Sequence, residues 1–198
     1  MDKLIYGVGY NNGLRKTRVN GIQLKEYKTW LRMIRRCYDI KSHSRQPTYK
    51  DCEVSDFFKS YSNFYEWCQD QIGFNCDDYE LDKDLLVKNN KTYSEHSCIF
   101  LPKTINSVLT KCNTSRGLLP LGVTYFPQTN KYRARVRNGQ ENLKSSGSLG
   151  LFNTEIEAFN AYKTAKENDL KELANKWKYQ IDERAYNALM SYQVEITD

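Results

Sequence analysis

From Tyr132 to Arg137 the chain alternates strictly, with Tyr132, Ala134 and Val136 at one parity and Arg133, Arg135 and Arg137 at the other. In a strand, alternate side chains leave by opposite faces, so this segment predicts one apolar face and a row of three guanidinium groups on the other. Such a row repels itself unless water or an anionic ligand lies over it. Pro120, the Pro127-Gln-Thr-Asn run and Asn138-Gly139 punctuate the neighbourhood into three short strands, the last pair being a hairpin signal. Thr154 and Glu157 then have the spacing of a helix capping box. Ile156, Phe159, Tyr162, Ala165, Leu170, Leu173 and Trp177 follow as a roughly helical stripe, suited to cover the sheet's apolar face. The fold class that this predicts is α+β.

Charge follows the same division. Residues 114 to 152 carry six Lys/Arg against one acid, residues 1 to 113 carry 18 against 14, and residues 153 to 198 carry six against nine. The net charge of +6 favours a polyanionic partner, with its excess on the arginine sheet.

Gly122-Val123, Tyr132, Ala134, Val136-Arg137, Leu149-Gly150, Phe152, Thr154, Glu157-Ala158 and Ala161-Tyr162 together resemble the plant ethylene-response-factor (Apetala-two) DNA-binding domain, over about a quarter of the chain. The resemblance implies a three-stranded antiparallel sheet packed on one helix, with its open face in the DNA major groove. It places Thr124 and Tyr125 of the first strand, Arg133, Arg135 and Arg137 of the second, and Ser146 and Ser148 of the third on that face. Ser148 stands where the plant domains commonly carry tryptophan, and Arg135 where they commonly carry an acid, so no target sequence carries over.

Upstream, Leu24, Tyr27, Leu31, Ile34 and Tyr38 predict an amphipathic helix over about residues 23 to 39. Lys25, Lys28, Arg32 and Arg35 line an adjoining face, either as a solvated stripe or as phosphate contacts. A second helix is expected over about 55 to 72, starting near Ser55, burying Phe58, Tyr61, Phe64 or Tyr65, Cys68 and Ile72, and stopped by Gly73. The Gly7-Val-Gly9-Tyr-Asn-Asn-Gly13 start lacks the strand and helix that would bracket a phosphate loop, and reads as a flexible arm. Six irregularly spaced cysteines and two isolated histidines fit neither a zinc finger nor a disulfide framework.

The run Tyr79-Glu-Leu-Asp82-Lys83-Asp84, with Ser97 and Asn106 beyond it, resembles the spacing of phage HNH homing endonucleases, some of which attach an ethylene-response-factor domain. The resemblance implies metal positions at Asp82 and Asn106, with Lys83 where the base histidine belongs and Ser97 where a loop-steadying asparagine belongs. Hydrolysis of a phosphodiester there needs a neutral base beside a divalent cation. A protonated lysine cannot accept the proton, and Asp82 and Asp84 on either side favour its charged form. The inherited catalysis is therefore expected to be lost. No cofactor is expected, or Mg²⁺ or Mn²⁺ if the site is active with His96 or another group as base.

Two modules are expected: a helical region over 1–110 with a degenerate ββα HNH-like element, and a sheet domain over 121–198 ending in a short helix begun by Asp182, joined by a linker at 111–120. Three functional readings compete: a non-catalytic binder of nucleic acid, in the first place double-stranded DNA; an active metal-dependent DNA endonuclease; and a phage interaction protein directed at structured RNA, a ribosome or a host defence protein. No apolar run reaches the roughly 18 residues of a membrane span, so no membrane partner and a cytoplasmic location are expected.

Overall fold

The computed structural model describes residues 4–110, 118–136 and 147–197. It is an α+β chain that divides into two compact units, residues 1–101 and 102–198. The division falls ahead of the expected linker, most of which lies outside the described residues.

In the first unit, a hairpin of β1 (Arg18–Val19) and β2 (Ile22–Gln23) leads into α1 (Lys25–Tyr38). Glu26 in the first turn and Arg35 and Arg36 in the last complement the helix dipole. The helix buries Trp30, Met33, Ile34 and Cys37, while Tyr27, Leu31 and Tyr38 only flank that core. The buried face is thus turned from the one expected, and Trp30 is its centre. Its indole N–H donates to Phe58 O at 2.7 Å, and its ring lies 5.6 Å from that of Tyr61.

After α2 (Ile40–His43), a 3-10 turn at Pro47–Tyr49 and β3 (Glu53–Val54), the helix expected over 55 to 72 is two: α3 (Asp56–Lys59) and α4 (Tyr61–Gln69). Ser55 caps the first by accepting from Phe58 N, and Ser60 caps the second by accepting from Asn63 N. The break at Ser60 has a cause: Tyr10 N donates to Lys59 O, and Tyr61 N donates to Tyr10 O, both at 3.0 Å. The glycine-rich start is therefore docked rather than a free arm. Gly9 is buried, and a Cβ there would lie 2.9 Å from the Trp30 ring. Ile72, beyond the end of α4, is exposed rather than buried, and Gly73 turns the chain at φ +85°. β4 (Tyr79–Asp82) pairs with β6 (Ile99–Pro102), and β5 (Thr92–Tyr93) pairs in parallel with β3.

The second unit starts with α5 (Lys103–Leu109) and contains the antiparallel sheet β7 (Val123–Phe126), β8 (Lys131–Val136) and β9 (Gly147–Phe152), in that order. The capping box forms: Glu157 N donates to Thr154 Oγ1 at 3.2 Å, and Glu157 Oε2 accepts from Thr154 N at 3.3 Å. It opens α6 (Glu155–Trp177), which lays Ala158, Phe159 and Tyr162 against Val123, Ala134 and Val136. Ile156, assigned to that stripe, is exposed in the first turn, and Ala158 takes the buried place. Farther along, the Lys166 ammonium donates to Val108 O of α5. α7 (Glu183–Met190) is capped by Asp182 and buries Ala185 and Leu189, folding back on α6. No helix among the described residues is long and apolar enough to cross a membrane.

Gly122 and Tyr162 are one packing unit. Gly122 has φ +77°, and a Cβ on it would lie 2.0 Å from Tyr162 Cδ2. Left-handed backbone costs an L-residue roughly 1–2 kcal/mol, and overpacking adds about 1–3. Gly122→Ala should therefore lower stability by at least about 2 kcal/mol in chemical denaturation. In a Tyr162→Ala background the same change should cost less, because only the backbone term remains. Equal losses in both backgrounds would contradict this packing.

Candidate nucleic-acid interface

Strand β8 realises the alternation for the residues described. Ala134 and Val136 are buried under α6, while Arg135 is exposed and Arg133 half-buried on the other side. Register fills in that outer face: Arg133 sits between Thr124 and Leu151, Lys131 opposite Phe126, and Arg135 opposite Ser148. A register shift between Ala134 and Arg135 interrupts the pairing with β9, and Gly150 there has φ +129°. Among the described residues that face holds Lys131, Arg133 and Arg135 and no acid.

The two arginines differ. The Arg133 guanidinium lies 4.9 Å from the Phe126 ring centroid, a cation–π contact that fixes its direction, and its Nε is buried with no hydrogen-bond acceptor among the described residues. Arg135 has no side-chain partner among the described residues and projects into solvent. Thr124 and Ser148 are exposed on the same face. Tyr125 is not. As the neighbour of Thr124 in a strand it points the other way, its ring 5.5 Å from that of Tyr132 and its hydroxyl donating to Asn130 Oδ1 at 2.6 Å. Arg137, Ser146 and the Asn138-Gly139 turn lie outside the described residues.

On α1, four basic residues share the face opposite Trp30, but they are not equivalent. Lys25 donates to Cys76 O at 2.7 Å and lies 5.4 Å from the Phe74 ring; Arg35 donates to Asp39 and Ser42. Lys28 and Arg32 are exposed, with no hydrogen-bond or ion-pair partner among the described residues. Charge within residues 1 to 113 is uneven: residues 4 to 38 hold eight Lys/Arg against one acid. That acid, Glu26, is buried and accepts from Gln69 Nε2 at 3.1 Å, so it is not displayed among the cations.

The Asp82-Lys83-Asp84 run forms a closed loop. Asp82, at the end of β4, is 9% exposed, and its Oδ1 accepts from Asp84 N at 3.0 Å and Leu85 N at 2.8 Å. Burial raises its carboxyl above the ordinary range, against the pull of these two N–H groups and of Lys83. Lys83 is itself buried; its ammonium donates to Asp84 Oδ1 and to Asn90 O and lies 5.7 Å from the Tyr93 ring. Asn90, which no motif in the sequence marks as a site residue, clamps the loop. Its amide donates to Lys83 O at 2.8 Å and Thr92 O at 2.7 Å and accepts from Thr92 N at 3.0 Å. Ser97, expected in a steadying role, donates to Thr92 O at 2.9 Å. The His96 side chain is 89% exposed, 3.6 Å from Glu95.

Asp82 belongs to the first unit and Asn106, on α5, to the second. With Oδ1 committed to backbone donors and an ammonium beside it, Asp82 does not by itself make a divalent-cation site. Among the described residues no three His, Cys, Asp or Glu side chains gather in a cluster that could hold a metal. The described cysteines are free thiols; burial pushes Cys37 and Cys98 up to about 12, which leaves them protonated at neutral pH.

Comparison with protein-family models, with curated proteins and with solved structures finds no match to this chain.

Asp82 generates a pH-dependent prediction. Its folded pKa lies above the unfolded value of about 3.9, so the folded state holds the proton more tightly. Its contribution to stability therefore falls as pH rises from about 4 through the folded value. Denaturation of the parent and Asp82→Asn across that range should show the parent losing ground to the variant with rising pH. Asp82→Ala, which removes the acceptor for two backbone N–H groups, should cost about 1–2 kcal/mol at neutral pH.

Proposed function

We propose that this protein binds double-stranded DNA without cleaving it, on a scaffold related to phage HNH homing endonucleases whose catalytic position is filled by Lys83. The observation that carries the reading is the outer face of β7–β8–β9, where Arg133 is held by Phe126 and Arg135 is exposed, with neither a side-chain partner for Arg135 nor a carboxylate on the face among the described residues. Guanidinium groups pair bidentately with guanine or clamp phosphate, and apolar groups such as Leu151 and the Thr124 methyl suit the thymine methyl. The resemblance to ethylene-response-factor domains points to the same face. A DNA partner places the protein in the cytoplasm or nucleoid of a host cell.

Lys83 supports the non-catalytic part. Its ammonium is engaged by Asp84 and Asn90 O, so its chemistry at that position is that of a loop anchor rather than a proton acceptor. Asp82 likewise serves its own turn.

Fluorescence anisotropy with a labelled duplex should show affinity falling roughly a hundredfold between about 50 and 200 mM salt, as about four phosphate contacts require. Arg133→Ala/Arg135→Ala should weaken binding about ten- to a hundredfold with the fold intact by circular dichroism. Unchanged affinity in that variant would remove the sheet from the interface. Plasmid nicking that requires Mg²⁺ or Mn²⁺ and vanishes in Asp82→Ala would overturn the non-catalytic reading.

A further inference from the structure

The first unit carries a projecting element that none of the above accounts for. β1 and β2 form a two-residue hairpin whose turn, Asn20-Gly21, has φ +50° and +77°. Positive φ at both central residues is the type I′ geometry, which matches the twist of the flanking strands. The residues flanking that turn are Val19 and Ile22, directly paired across the strands, 48% and 68% exposed. A β-branched apolar pair at the tip of a hairpin is a poor surface for water. A solvated hairpin is better served by polar residues there.

The surroundings are cationic. Arg18 Nη1 donates to Gly21 O at 2.9 Å, which holds a guanidinium beside the tip. Lys16, just before the hairpin, is exposed with no side-chain partner among the described residues. The base is fixed to the helix start by Leu24 N donating to Thr17 O at 3.0 Å, so the hairpin runs straight into the helix that displays Lys28 and Arg32. No acid lies between residues 4 and 25. An apolar protein partner would explain Val19 and Ile22 but not Lys16 and Arg18 beside them, neither of which meets a carboxylate among the described residues; a phosphate backbone alone would explain the cations but not the apolar tip. Duplex DNA accounts for both, because apolar wedges entering the minor groove unstack a base step while flanking cations hold the phosphates.

We infer that the β1–β2 hairpin is a DNA-deforming wedge: Val19 and Ile22 insert at a base step from the minor groove, Lys16 and Arg18 hold the adjoining phosphates, and Lys28 and Arg32 of α1 extend the backbone contact. The inference rests on the DNA-binding reading above but on a surface that shares no residue with the sheet.

A duplex carrying donor and acceptor dyes at its two ends reports a kink as increased energy transfer, and anisotropy on the same sample reports binding. The parent protein should raise the transfer. Val19→Ser/Ile22→Ser, which alters only exposed side chains and keeps the Asn20-Gly21 turn, should bind with unchanged salt dependence yet leave the transfer at the free-duplex level. Lys28→Ala/Arg32→Ala should lower the slope of log affinity against log salt by about 2, from about 0.9 per phosphate contact. The wedge is overturned if the hairpin variant bends DNA as the parent does, or if the parent binds without raising the transfer. The DNA-binding reading fails separately, through a parent that does not bind duplex at all, whereas unchanged affinity in Arg133→Ala/Arg135→Ala removes only the sheet from the interface.

Discussion

A strand that buries one face against a helix has no choice about what the other face displays. Ala134, fully buried beneath α6, and Val136 beside it commit one parity of β8 to the core, so Arg133 and Arg135 must leave by the other. Register then carries the consequence outward: Thr124, Leu151 and Ser148 join the arginines because they pair with them, and Tyr125 is excluded because it pairs with Tyr132. Gly122 holds the other end of this arrangement, since only a residue without a side chain fits beneath the Tyr162 ring at that positive φ. The glycine and the tyrosine lie far apart in sequence, yet each is explained by the other.

The same logic operates in the first unit with a different element. Trp30 anchors α1, bonded to Phe58 O and packed beneath Gly9, and the helix face opposite is left to Lys28 and Arg32. Each unit thus presents cations on a surface whose orientation its own core dictates. The Asp82–Lys83 loop contributes differently. Its side chains are turned on the loop itself, with Asn90 bridging Lys83 O and Thr92 O. A buried lysine satisfied by a carboxylate, a carbonyl and an aromatic ring is a means of holding a turn closed.

Local chemistry was legible in the sequence wherever a few neighbouring residues determine it. The Thr154–Glu157 box, the Asp182 and Ser55 caps and the parity of β8 are short-range patterns, and the structure has them. What failed depended on distant partners. Ser60 breaks one expected helix into two because Tyr10 bonds to the backbone on either side of it, and no spacing within residues 55 to 72 reveals that. Ile72 and Ile156 continue a helical period past the point where another element covers it, so both are exposed. The α1 core was misaligned because Tyr27, Leu31 and Tyr38 are apolar at the right spacing but flank Trp30 and Cys37 rather than replace them. The basic character of residues 4 to 38 was in plain view but diluted by a window that included the acidic loop at residues 77 to 84.

The central claim is that outward cations, rather than those bound within the fold, meet the nucleic acid. Arginine side-chain Nε–Hε resonances, followed by NMR as a short DNA duplex is titrated in, test it most directly. Arg133, Arg135 and Arg32 should shift or broaden, while Arg36, over the Tyr49 ring, and Arg184, paired with Asp182, should stay in place. Shifts confined to Arg36 or Arg184, or no change in any of them at saturating duplex, would contradict the account.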